Sequence, residues 1–243
     1  MAEWTERAEL LFKKEGLEKL KNAHVMVVGL GGVGSFAAEF IARAGVGTMT
    51  IVDGDVVDIT NINRQLPALH STVGEPKVTI VGDRLMDINP ELKLIRIQEF
   101  LSPERAYELV TNEYDYVLDC IDSITPKLNL ILSARRKKVK IISNMGAGGK
   151  YEAAKVRVSD ISKTEVCPLA KTIRKRLKKE GVSKGIKAVY SAETPDQSSL
   201  KMTDGKNFKK SFFGTNSWMP ALFGLHAAEA VVKHIIGKTA GKL

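Results

Sequence analysis

Two hydrophobic rhythms alternate along the chain. Short, nearly unbroken apolar runs at residues 24–28 (His24-Val25-Met26-Val27-Val28), 49–52, 92–97, 116–118 and 140–143 have the length and β-branched content of strands buried on both faces. Between them, residues 35–44, 73–88, 103–110 and 127–138 carry apolar positions at helical spacing. Strands that recur between helices of this length predict an α/β domain with a mainly parallel sheet and helices on both faces. Ahead of this core, Leu10, Leu11, Leu17 and Leu20 recur among charges and predict helical segments around Gly16.

The pattern changes after Gly149. Residues 156–158 and 187–190 read as strands, and residues 169–180 as a strongly basic helix. Residues 193–210 have no apolar period and are rich in Ser, Lys, Asp and Gly, which predicts a mobile crossover loop. An apolar, largely helical stretch closes the chain at 216–236, with Pro220 expected at the start of its helix. Residues 1–150 are therefore expected to form N-terminal helices and the α/β core. Residues 151–243, the basic crossover region, loop and last helix, are expected to complete the same domain.

Composition narrows the classes. The 243 residues are 44% apolar and 27% charged, enough for a large core. Two cysteines, Cys120 and Cys167, exclude a disulfide scaffold or a four-cysteine zinc site within one chain. The net charge of +9 suits a polyanionic partner without identifying one. The charged opening lacks the apolar run of a secretory signal, and the stretch 218–236 is interrupted by Pro220, His226, Glu229, Lys233 and His234; both point to a cytoplasmic protein without a membrane span.

Candidate chemistry begins at Gly29-Leu30-Gly31-Gly32-Val33-Gly34. Gly29, Gly31 and Gly34 have G-x-G-x-x-G spacing between a strand and a helix, where main-chain N–H groups can meet a phosphate. The same glycines also serve tight helix–sheet packing. Asp53, at the end of the second strand, is placed to accept hydrogen bonds from a ribose. These two features suit a nicotinamide cofactor as well as ATP. Beyond them, Asn61-Ile62-Asn63-Arg64-Gln65 supplies a guanidinium fork and Lys77 a second cation, both suited to a triphosphate. Arg64 is equally able to crosslink a solvated loop. Of the carboxylates in Asp119-Cys120-Ile121-Asp122, Asp122 is the better candidate for Mg²⁺ already bound to phosphate, and Asp119 for capping or organising the loop.

In order and spacing, the glycine turn, Asp53-Gly54-Asp55, Asn61-Ile62-Asn63-Arg64-Gln65, Gly74-Glu75-Pro76-Lys77 and Asp119-Cys120-Ile121-Asp122 resemble the ThiF/MoeB branch of the ubiquitin-activating (E1-like) adenylating enzymes. Within it the chain is most similar to the tRNA threonylcarbamoyladenosine dehydratases, over nearly its whole length. The resemblance implies a Rossmann-like adenylation fold. It implies ATP held by Gly29, Gly31, Gly32, Gly34 and Asp53, with Asn61, Arg64 and Lys77 at the triphosphate, Asp55 near the phosphates and Asp122 linked to Mg²⁺. Arg64, Lys77 and Asp122 would be the catalytic groups. It further implies a homodimer in which Arg7 of one subunit reaches the other's ATP. The implied reaction is adenylation of the threonyl carboxylate on N6-threonylcarbamoyladenosine at tRNA position 37, followed by ring closure with net loss of water.

Rival readings are an activator of a small sulfur-carrier protein and an RNA-binding protein that keeps only the fold. The chain lacks the paired C-x-x-C zinc sequences of many sulfur-carrier activators, and a sulfur-transfer protein partner stays open. Lys171, Arg174, Lys175, Arg176, Lys178, Lys179, Lys184 and Lys187 are suited to tRNA phosphates, or form a solvated helix face. Cys120 is expected to pack beside the sheet, and neither cysteine is assigned to catalysis.

Overall fold

A computed structural model describes residues 4–202 and 211–237. Its centre is a seven-stranded sheet in the order β3-β2-β1-β4-β5-β7-β6, with β1 at His24–Val28, β2 at Thr48–Val52, β3 at Lys93–Ile97, β4 at Tyr116–Asp119, β5 at Ile141–Asn144, β6 at Val156–Asp160 and β7 at Lys187–Ser191. Every pairing is parallel except that of β6 with β7 at one edge. The order reverses between β1 and β4, so the loops after these two strands diverge and open a crevice at the carboxyl end of the sheet.

Side-chain alternation explains why the central strands read as continuous apolar runs. Val25 and Val27 of β1 join one core with α2 (Gly34–Arg43), α3 (Lys77–Ile88) and the C-terminal α7 (Trp218–Ile235). Met26 and Val28 face a second core with α5 (Ile124–Arg136) and α6 (Pro168–Lys179). A shorter helix, α4 (Pro103–Leu109), starts behind the Ser102 cap, whose hydroxyl accepts from Arg105 N–H at 3.1 Å. The β3 edge is more exposed and carries Lys93 and Arg96, which discourage further strand pairing.

Four local expectations change. The N-terminal helix α1 (Glu6–Lys21) breaks at Lys13, whose φ is 66°, and runs unbroken through the buried Gly16. The helix expected from residue 73 starts at Lys77, because Gly74 adopts φ 93° and Pro76 is held in a bridge with Val56. The last helix starts two residues before Pro220; the proline falls within the first turn, where its missing N–H has no intrahelical partner to lose. The segment expected as a mobile loop instead contains a 3-10 turn (Gln197–Ser199) and β8 (Leu200–Met202), which pairs antiparallel with β9 (Ser211–Phe213). Main-chain bonds tie this ribbon to the body: Asp196 N–H to Gly149 O at 2.7 Å and Gly149 N–H to Gly214 O at 2.7 Å. The rest of that expectation, 203–210, lies outside the described residues.

Candidate nucleotide and acyl-transfer site

The glycine turn is built by close approach of main chain. Gly29 leaves β1 with φ 88°, and a Cβ on it would stand 2.9 Å from Cys120 O. A Cβ on Gly34 would fall 1.7 Å from Gly29 O, inside any tolerable contact. Gly32 is wedged between Arg64 O and the Pro220 ring, each 2.9 Å from a would-be Cβ. Gly31 is more open, with the flexible Gln65 amide 3.5 Å away.

Asp53 fixes the other wall. Its Oδ2 accepts Leu30 N–H at 2.5 Å and its Oδ1 accepts Asp55 N–H at 2.8 Å, joining the glycine turn to the loop after β2. Burial pushes this carboxyl above its usual range, while the Lys77 charge and these N–H bonds act in the opposite direction. Phe100, an exposed aromatic that the motifs did not flag, lies directly over Gly54 beside it.

Lys77, the first residue of α3, is almost wholly buried, and its Nζ meets Asp55 Oδ2 at 3.0 Å. Asp55 is half exposed, so this ion pair draws the ammonium toward the protein surface. Asn61 is buried, and its Oδ1 accepts Asp58 N–H at 3.2 Å in a reciprocal cap, so its first visible role is to shape the loop. Arg64 Nη1 donates to Thr60 O at 2.8 Å and Asn63 Oδ1 at 2.9 Å. Burial lowers the Arg64 pKa, and the negative charge of Asp122, then of Asp58, opposes the shift; the loops after β2 and β4 thus bring Arg64 and Asp122 into one field. Asp122 is exposed at the head of α5, with Ser123 Oγ donating to its Oδ1 at 3.3 Å. Arg7 is exposed on the first turn of α1. Nearby Thr5 faces Gly45, at the opposite end of α2 from the glycine turn, so the chain's own fold does not bring Arg7 to the cluster.

Beneath the Asp122 loop lies a group that sequence reasoning missed. Lys127 is fully buried, and its Nζ donates to Asp119 Oδ2 at 2.6 Å, Asn144 O at 2.8 Å and Ser143 Oγ at 3.4 Å. Asp119 Oδ1 accepts Ile121 N–H at 3.1 Å. Asp119 therefore organises the loop, leaving Asp122 outward. A lysine at the fourth position of a helix resembles any surface lysine in sequence; only its approach to a buried carboxylate marks it. Cys120 packs beside the sheet as expected, its thiol pushed strongly upward by burial, and Cys167 is buried at the start of α6.

A sequence profile of the ThiF family matches residues 6–243. The chain belongs to that family. A tRNA threonylcarbamoyladenosine dehydratase of Bacillus subtilis is 42% identical over 237 residues, 95% of this chain and 93% of the relative. The dehydratase of Escherichia coli is 36% identical over 247 residues, 95% and 92% of the two chains. The crystal structure of the Escherichia coli dehydratase in complex with ATP matches with a TM-score of 0.86 at 36% identity, covering 96% of this chain and 93% of that one. ThiF-family membership accords with the mostly parallel sheet.

Proposed function

We propose that this ThiF-family protein catalyses the ATP-dependent dehydration of N6-threonylcarbamoyladenosine in tRNA to its cyclic form. The observation that carries this reading is the near full-length similarity to dehydratases, one of them solved with ATP, in a chain that gathers Asp53, Arg64, Lys77 and Asp122 around its glycine turn.

A carboxylate is a poor electrophile with a poor leaving group. Its oxygen attacks the α-phosphorus of ATP, pyrophosphate departs, and an acyl-adenylate results. A nucleophile within the same threonylcarbamoyl group then attacks the acyl carbon and expels AMP, which carries away the oxygen lost as water. The glycine-turn N–H groups and Asp53 orient the nucleotide; the Arg64 fork and Lys77 offset charge that gathers on the phosphates as the bond to pyrophosphate lengthens. Ring closure is intramolecular, so holding the acyl group folded contributes through orientation.

Mg²⁺ fits this donor set in one way. Among the described residues no cluster of three or more His, Cys, Asp or Glu side chains can hold a metal. A single exposed hard carboxylate, Asp122, suits an ion whose other ligands are phosphates and water. Bound there, the ion would neutralise phosphate charge.

Substrate docking has a matching surface. α6 buries Ala170, Ile173 and Leu177 and turns Lys171, Lys175, Arg176, Lys178 and Lys179 outward. Arg176 Nη1 reaches Thr125 Oγ1 at 3.4 Å, three residues past Asp122, so the cationic face begins beside the site and suits tRNA phosphates. The protein is further inferred to act as a homodimer. Leu10 and Leu11 of α1 are 71% and 65% exposed, and an apolar groove lined by Leu11, Phe12, Phe40, Leu225 and Val232 lies beside them. A partner copy would cover it and is the source from which Arg7 could reach an ATP site. Among the described residues no helix is long and apolar enough to cross a membrane.

The test is incubation with ATP and tRNA bearing threonylcarbamoyladenosine, with mild digestion and weighing of the nucleosides. Conversion to the cyclic nucleoside with release of AMP and pyrophosphate is expected. An unaltered nucleoside from protein that binds ATP defeats the proposal.

A further inference from the structure

The segment that leads into α7 is clamped between the nucleotide turn and the loop after β5. On one side Pro220 abuts Gly32, and Thr215 O accepts Asn63 Nδ2 at 2.8 Å, one residue from Arg64. On the other, Asn216 Nδ2 donates to Lys150 O at 2.8 Å and Trp218 Nε1 to Tyr151 O at 3.0 Å. Asn216 Oδ1 accepts Met219 N–H at 2.9 Å, fixing the first turn of α7, and the Glu193 carboxylate accepts both Tyr151 N–H and Glu152 N–H. The main chain at Tyr151 is therefore held on several sides, and the Trp218 indole is pinned to it through Nε1.

Beyond that bond both rings leave much of their surface to water: Trp218 is 47% exposed and Tyr151 59%. Large aromatic rings normally bury their surface, and two held beside a phosphate-binding turn form a prepared surface for another flat group. Resting on the dehydratase reading, we propose that Tyr151 and Trp218 form a stacking platform for unpaired nucleobases of the RNA substrate, next to the modified adenosine whose carboxylate meets the α-phosphate. Bases in single-stranded RNA loops are recognised chiefly by stacking on aromatic rings, with cations tracking the phosphates. Both elements stand around this site, the aromatic pair at the entry to α7 and the cations of α6 beginning at the Asp122 loop. A glycine-terminated protein tail, the substrate of a sulfur-carrier activator, presents no bases to stack.

Two measurements test the platform. Trp218→Ala and Tyr151→Ala should each raise the KM for modified tRNA roughly 5- to 100-fold, with ATP affinity held within about twofold and the salt dependence of tRNA binding unchanged; Trp218→Phe should restore most of the loss. The chain has two tryptophans, so Trp4→Phe leaves Trp218 as the sole indole reporter in an otherwise native platform. Its fluorescence should be quenched by modified tRNA. Unchanged KM in both alanine variants overturns the proposal, as does unquenched emission at saturating tRNA or an effect confined to binding of a protein carrier. Failure of the unaltered protein to convert the nucleoside would instead strike the dehydratase reading, which separates the two.

Discussion

Lys127 Nζ and Asp119 Oδ2 meet at 2.6 Å with both side chains wholly withdrawn from solvent. The pair joins the end of β4, the end of β5 and the first turns of α5, and so supports the loop that presents Asp122. Removing one charge strands the other. Lys127→Met should cost about 3–5 kcal/mol, and Asp119→Asn combined with Lys127→Met should cost less than Lys127→Met alone. Urea unfolding of the singles and the double checks this; strict additivity would show that the two groups do not act as a pair.

The Arg64 guanidinium donates to its own loop, to Thr60 O and Asn63 Oδ1. Arg64→Ala should therefore leave stability within about 1 kcal/mol while lowering AMP formation roughly 100- to 1,000-fold, the scale of losing one charged donor at a transition state. Parallel urea and single-turnover measurements decide the matter, and near-normal turnover would remove Arg64 from the chemistry.

Two glycines of one turn should respond unequally. A methyl group at Gly34 meets Gly29 O at 1.7 Å, main chain against main chain, whereas one at Gly31 meets only the end of the Gln65 side chain at 3.5 Å. Gly34→Ala should abolish ATP binding and lower the melting temperature by roughly 10 °C or more, given a cost of several kcal/mol; Gly31→Ala should fold normally. Calorimetry with and without ATP distinguishes them.

Acid sensitivity should centre on Glu39 in α2. Burial pushes its carboxyl up, but bonds from Arg84 at 2.6 Å and Arg43 at 2.8 Å outweigh it and hold the pKa below the ordinary value. A depressed folded pKa means stability that is present above the unfolded value, about 4.3, and is lost as pH falls through the folded one. Because both arginines are half exposed, the contribution is only about 1 kcal/mol. Glu39→Gln should remove that amount at neutral pH and flatten the loss of stability as pH falls below the unfolded value.

The centre of the sheet was legible because its strands are buried on both sides, and residues such as Val25 through Val28 leave no polar interruption. The glycine turn was legible because close approach of main chain at Gly29 and Gly34 restricts the residue types allowed. Lys127 was not, since burial of a lysine depends on a carboxylate and carbonyl brought from other strands. Nor was the β8–β9 ribbon: Leu200, Lys201 and Met202 stay exposed, so no buried face imposed an alternation on the sequence. The break at Lys13 lacks the usual glycine or proline signal; there the Lys13 Nζ donates to Leu10 O at 2.9 Å.

The contact of Pro220 with Gly32 couples the glycine turn to α7 across about 190 residues of sequence. A change that loosens the seat of α7 should therefore widen the turn even when every glycine in it is kept.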